Sequence, residues 1–153
     1  MNYYNDMKGI LMNYNYKTIN RLPTITEYKS ICNAVGWNDY MNFDVAEASL
    51  RQSLFGVVIQ YEDDIVGMGR VIGDGNIYFY IQDIAILPDH QNKGLGNLIM
   101  TAINEFLKVN APDKSFIGMF ASHGKESFYK KYGYNEHEAM TGIFGVIHEG
   151  NIK

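Results

Sequence analysis

Gln91-Asn92-Lys93-Gly94-Leu95-Gly96 has the residue types with which a backbone can hold a phosphate group. The segment follows an apolar run, Ile84 to Leu87, stopped by Pro88, and it opens the most regular helical pattern in the chain. The first N–H groups of a helix lack intrahelical partners and carry a partial positive charge, which suits phosphate oxygens. Gly94 and Gly96 have no Cβ, so a ligand can approach the backbone and positive φ values are open. Lys93 adds a flexible cation at the rim. A pyrophosphate is the ligand this arrangement favours. It is not a nucleotide P-loop, because G-x-x-x-x-G-K-[ST] is absent. It is not a dinucleotide fingerprint either: the third glycine is missing and the preceding strand belongs to a meander. A G-x-G at a helix start is otherwise common, so the surrounding elements decide its meaning.

Those elements follow from period and punctuation. Tyr14 to Ile19 alternates and reads as a first strand. Thr24 or Thr26 can cap a helix through about Val35, ended by Gly36, and Asp44 can cap a second through about Leu54. From Phe55 the period becomes two. Strands at Phe55–Tyr61, Ile65–Ile72 and Ile77–Leu87, parted by polar and glycine-bearing turns, make an antiparallel meander. Leu95, Leu98, Ile99, Ala102, Ile103, Phe106 and Leu107 then keep the i, i+3, i+4, i+7 spacing of a helix with one face on the sheet. Ser115–Ala121 is a further strand, Lys125–Tyr132 a short helix closed by Gly133, and Glu138–Ile147 supplies one or two more strands. The expected class is α/β of the α+β kind: a mixed, mainly antiparallel central sheet with helices on both faces. A length of 153 residues fits one domain, 1–153, with 1–13 as a peripheral arm.

Composition removes several classes of function. The formal charge of −4 and the scattered basic residues argue against nucleic-acid binding. Cys32 is the only cysteine, so an intrachain disulfide is excluded, no metal site is expected, and a reducing cytoplasm is the natural compartment. No apolar run approaches the roughly 18 residues of a membrane span.

A second element, Phe128-Tyr129-Lys130-Lys131-Tyr132-Gly133-Tyr134, lies downstream of the glycine loop. It resembles the F-Y-x-x-x-G-[FY] element of the GNAT superfamily of acyl-CoA N-acyltransferases, and Gln91-x-x-Gly94-x-Gly96 resembles that family's cofactor loop. The two motifs stand in the family's order, and the element order from about Tyr14 onward is similar to the GNAT fold. Gln82-Asp83-Ile84-Ala85-Ile86 resembles, over a short stretch, the corresponding strand of the glucosamine-phosphate and serotonin-type arylalkylamine acetyltransferases.

The resemblance implies an acetyl-CoA-dependent N-acetyltransferase in which an amine attacks the thioester directly in a ternary complex. It implies that Gln91, Asn92, Lys93, Gly94, Leu95, Gly96 and Asn97 hold the cofactor's pyrophosphate. The backbone of Ile84, Ala85 and Ile86 would pair with the pantetheine arm and supply the N–H donor for the developing oxyanion, with Lys125 and Phe128 also at the cofactor. Lys125 stands where the family often has an asparagine. Tyr129 would be the general acid; the alternative is a packing aromatic. A phenol and an alkyl thiol, with ordinary pKa values of about 10 and 8.5, are close enough for proton transfer. The base is open. Tyr80 stands where many relatives carry a glutamate, Asp83 is the nearest carboxylate, and a water chain would serve equally. Trp37, Arg70 and Tyr80 are candidates for the acceptor wall, with Arg70 either holding a carboxylate or phosphate or facing solvent. The expected partner is a small-molecule amine, without nucleic acid or membrane, and the family's frequent dimers leave a homodimer open. A protein lysine or N-terminus as acceptor, and a non-catalytic acyl-CoA-binding domain, are the competing functions.

Overall fold

The computed structural model describes residues 15–153, so the expected arm at 1–13 and the start of the first strand at Tyr14 lie outside the described residues. The chain divides into two compact units, one up to Met119 and one from Phe120 to Lys153.

The first unit is built on a five-stranded sheet of order β1-β2-β3-β4-β5, comprising Tyr16–Ile19, Phe55–Tyr61, Asp64–Gly73, Tyr78–Ile86 and Phe116–Gly118. The first four strands are antiparallel neighbours, and β5 joins β4 in parallel. The mixed, mainly antiparallel sheet read from the sequence is therefore present. Helix α1, Ile25–Ala34, begins with a capping box in which Glu27 N–H donates to Thr24 Oγ1 at 3.2 Å and Thr24 N–H donates to Glu27 Oε2 at 2.7 Å. Arg21 grips the same carboxylate with two N–H groups, at 2.8 and 2.9 Å. Helix α2 is Ala46–Arg51, shorter than expected at both ends. The expected Asp44 cap is corrected: Val45 is the N-cap and no side chain caps it.

α1 and α2 cover one face of the sheet, where Tyr28, Ile31, Cys32, Ala46, Leu50, Val58, Met68 and Ala85 form a buried cluster. Helix α3, Leu95–Asn110, covers the other face over β2, β3 and β4. Its buried residues Leu95, Ile99, Ala102, Ile103 and Leu107 belong to the stripe read from the sequence. Phe106 stacks on Phe55 of β2 at 4.6 Å between ring centroids. Gly69 gives α3 its seat. A Cβ there would stand 2.6 Å from Ile99 Cγ2 and 3.2 Å from Ile103 Cδ1. No helix among the described residues is long and apolar enough to cross a membrane.

β5 is three residues long instead of the seven expected, because its pairing with β4 ends at Tyr80↔Gly118. In the second unit, helix α4 spans Glu126–Lys130 and is followed by Gly133 at φ +94°. The tail strands are displaced from Glu138–Ile147. Before Ile147 that stretch contributes only Met140, in an isolated bridge to His137, and the hairpin is β6, Ile147–His148, with β7, Asn151–Ile152. Its two-residue turn uses Glu149 at φ +49° and Gly150 at φ +77°, the positive pair that a tight antiparallel turn requires.

Candidate functional site

The glycine loop leaves β4 through a 3-10 turn at Pro88–His90. Two side chains fold it back on itself: Gln91 Nε2 donates to the Ile86 carbonyl at 3.0 Å, and Lys93 Nζ donates to the Asp89 carbonyl at 3.0 Å. Asn92 and Gly94 adopt positive φ, +60° and +80°. Gly94 is the N-cap of α3 and makes no side-chain cap bond. The Asn97 N–H donates to the Gly94 carbonyl at 3.1 Å, and the Leu95 and Gly96 amides before it follow a left-handed glycine without a side-chain cap, which suits the approach of an anion. Leu95 itself is 1% exposed and anchors the helix start to the core. On the other side of the turn, His90 Nδ1 lies 2.8 Å from the Tyr16 hydroxyl, and the Tyr16, Tyr61 and His90 rings meet at tilted and edge-on angles with centroids 5.0 to 5.7 Å apart. This aromatic cluster ties the turn to β1 and β2. It escapes sequence reading because its members come from three distant segments.

β4 is bulged and half free. Between Met68 and Arg70, β3 advances two residues while β4 passes three, from Ala85 to Gln82, so Asp83 and Ile84 together face Gly69. Asp83 has φ +57°. On its other edge β4 pairs with β5 only through Tyr78, Phe79 and Tyr80. From Ile81 to Ile86 that edge has no strand partner among the described residues. That stretch includes the expected Ile84, Ala85 and Ile86, of which the Ile86 carbonyl already accepts from Gln91, and a strand edge of this kind can take an amide-bearing chain as an added strand. Tyr80 sits on the last rung before β4 and β5 part, opposite Ile72 on β3 and Gly118 on β5.

Arg70 and Asp83 were read from the sequence as an acceptor contact and a base; the structure joins them to each other. Arg70 Nε donates to Asp83 Oδ2 at 2.6 Å, with the two residues 7% and 5% exposed. Tyr28 Oη donates to the same oxygen at 2.9 Å, and Gln82 Nε2 donates to Oδ1 at 3.2 Å. The Arg70 Nη1 group reaches Ser49 and Ser53 at 3.1 to 3.3 Å. Arg70 is thus inside the protein, not on a solvent-facing strand surface. Burial, with the Asp83 charge next in weight, drives the Tyr28 phenol far above its ordinary value and the Cys32 thiol up to about 11. The signal for an inward Asp83 was the alternation Phe79, Ile81, Asp83, Ala85, which puts it in line with core residues. Trp37 is partly buried against the same cluster, as is Phe43, while Tyr40 is 83% exposed.

In the second unit, Phe128 packs edge-on against Tyr129 at 5.0 Å and against Tyr132 at 5.6 Å. Lys131 Nζ lies over the Phe128 ring at 4.5 Å. The Tyr129 backbone carbonyl accepts from the N–H groups of Tyr132 and Tyr134, which rounds off the helix end. Burial pushes the Tyr129 phenol above its ordinary value. Lys125 is the N-cap residue of α4 and is exposed.

The family description "Acetyltransferase (GNAT) domain" matches residues 22–148. An uncharacterized N-acetyltransferase, ycf52, of Pyropia yezoensis is 29% identical over 84% of this chain and 75% of its own. Among solved structures, a protein of unknown function from meticillin-resistant Staphylococcus aureus, called a probable acetyltransferase, is 30% identical. It superposes with a TM-score of 0.79 over 87% of this chain and 99% of that one. Glucosamine-6-phosphate N-acetyltransferase from Arabidopsis thaliana, 16% identical, shares the fold with a TM-score of 0.62 over 84% of this chain and 98% of its own. The family match runs from the turn before α1 to the first strand of the tail hairpin, through both units, and on that extent the chain belongs to the GNAT family of acetyltransferases.

Proposed function

We propose that the protein transfers an acetyl group from acetyl-CoA to the primary amine of a small molecule, by direct attack in a ternary complex. The observation that carries this reading is the bulged, half-free strand β4 leading through the Pro88–His90 turn and the glycine loop to a helix whose N-cap, Gly94, makes no side-chain bond. Acetyl-CoA fits those features: Gly94, Leu95 and Gly96 offer backbone N–H groups to the pyrophosphate, with Gln91, Asn92, Lys93 and Asn97 around them. The edge of β4 from Ile84 through Ala85 to Ile86, which has no strand partner on the β5 side among the described residues, suits the amides of the pantetheine arm, and a backbone N–H beside the bulge suits the thioester oxygen as it gains charge. When bound, acetyl-CoA supplies the activated thioester. Tyr129 is the proposed proton donor to the leaving thiolate, with Phe128 and Lys125 beside the cofactor. Asp83 already accepts from Arg70, Tyr28 and Gln82, so the amine's proton is assigned to water instead.

The same pairing bears on the acceptor. With Arg70 turned inward, it is withdrawn from the acceptor wall as a partner for a phosphate or carboxylate. The half-buried Trp37 and, at the fork of β4 and β5, Tyr80 favour an aliphatic or aromatic amine body. A panel of arylalkylamines, polyamines, amino-sugar phosphates and lysine peptides, assayed with acetyl-CoA, tests the reading. Acetylation of an arylalkylamine or another uncharged-body amine is expected, together with thermal stabilisation by acetyl-CoA of the size that mass action gives. Stabilisation without transfer to any amine would leave a binding domain. No stabilisation at about a millimolar cofactor would overturn the cofactor assignment.

A further inference from the structure

We propose that Tyr28, Arg70 and Asp83 are positioning residues that lock the β4 bulge, so that helix α1 and strand β3 set the geometry of acyl transfer without touching substrate. The catalytic part of this inference rests on the donor assigned above to the bulge.

Asp83 is a non-glycine residue at φ +57° in the middle of a strand whose neighbours are extended. Such a conformation persists only where the surroundings over-determine it. Aspartate tolerates the left-handed region better than most residues, but here the side chain is held as well. Its Oδ2 atom accepts hydrogen bonds from Arg70 Nε at 2.6 Å and from the Tyr28 hydroxyl at 2.9 Å. Arg70 is itself braced by Ser49 and Ser53 at the end of α2, and its guanidinium lies 6.0 Å from the Tyr28 ring centroid. The next residue anchors the opposite face. Ile84 Cγ1 and Ile99 Cγ2 close over the bare side of Gly69, 3.5 and 2.6 Å from where its Cβ would be. Two consecutive residues of the bulge are therefore gripped from opposite faces of the sheet, and the peptide between them is fixed.

Charge gives the clamp a second role. An unpaired carboxylate at Asp83 would repel an oxygen gaining negative charge beside the bulge. The Arg70 guanidinium cancels that charge at close range inside the core, where screening by solvent is weak.

Tyr28→Phe tests the clamp because it removes one hydroxyl and leaves the buried ion pair intact. At a temperature well below unfolding, amide exchange of Asp83 to Ile86 is expected to quicken by about tenfold while amides within α3 are unchanged. With the acceptor found in the amine panel, kcat is expected to fall by about tenfold, the scale of one hydrogen bond to a charged group. KM for acetyl-CoA should stay within about twofold. Arg70→Lys, which keeps the charge and loses the planar fork, is expected to give the same pattern. Bulge exchange unchanged in both variants overturns the clamp. Faster exchange with kcat unchanged overturns its part in positioning. If the wild-type protein acetylates nothing, the function reading fails on its own, and the exchange measurement still decides whether the clamp exists.

Discussion

Tyr129 is the side chain on which the proposed chemistry turns. Its phenol is raised above the ordinary value of 10 by burial, so it stays protonated across the neutral and mildly alkaline range. As a proton donor to a thiolate it would limit turnover only where it loses its proton, so the alkaline fall in kcat is expected above pH 10. Tyr129→Phe is expected to lower kcat by about a hundredfold, the usual scale of a general acid, with KM for acetyl-CoA little changed. Steady-state kinetics across pH 7 to about 10.5 check both points; an unchanged kcat in the variant would remove Tyr129 from the mechanism. That the glycine loop opens α3 and that Tyr129 lies on a short helix were legible in the sequence because each motif is contiguous. The Arg70–Asp83 pair was not. Its partners are 13 residues apart, and they meet only because a bulge shifts the register of β4 against β3 by one. A sequence shows a carboxylate and a guanidinium; it does not show that a left-handed Asp83 turns one toward the other.

The strands and helices were read best where a periodic pattern is long. The meander and α3 stand close to their expected bounds, since seven or more residues of one period outweigh any local propensity. Short elements depart: α2 loses its expected cap at Asp44, β5 shrinks to the three residues that β4 can pair, and the tail hairpin moves to its positive-φ turn at Glu149–Gly150. What the period cannot show is which small residue is a contact. Gly69 is such a case, because α3 sits against its bare Cα opposite the bulge. Gly69→Ala forces a methyl to within 2.6 Å of Ile99 Cγ2, so either α3 or the bulge must move. Urea unfolding is expected to show a loss of about 2 kcal/mol, in the range of overpacked cores. The bulge amides should exchange faster as well. A variant as stable as the wild type would mean that Ile99 and Ile103 have room that the packing denies.

The unit that carries the sheet buries two protonated groups beside one ion pair, and this couples its stability to pH. Tyr28 and Cys32 lie 2% and 0% exposed on the α1 face, and both are raised by desolvation first and by the Asp83 charge second. In the unfolded chain the thiol titrates near 9 and the phenol near 10, whereas the folded thiol holds its proton to about 11 and the folded phenol further still. Between these values the unfolded state binds fewer protons than the folded one, so stability falls as pH rises. Each such group contributes a slope of about 1.4 kcal/mol per pH unit while only its unfolded form is ionised. The contribution is fully present below pH 9 and is lost from there upward. Urea midpoints followed by circular dichroism are expected to be level from about pH 7 to 8.5 and to drop steadily above that. Cys32→Ala should delay the onset toward pH 10, and adding Tyr28→Phe should lessen the remaining slope, to which the buried Tyr129, Tyr132 and Tyr134 phenols also contribute, although each variant starts from a lower midpoint. A wild-type midpoint that stays level to about pH 10.5 would mean that neither group is shielded in solution, and would break the link between this buried cluster and the fold of the sheet.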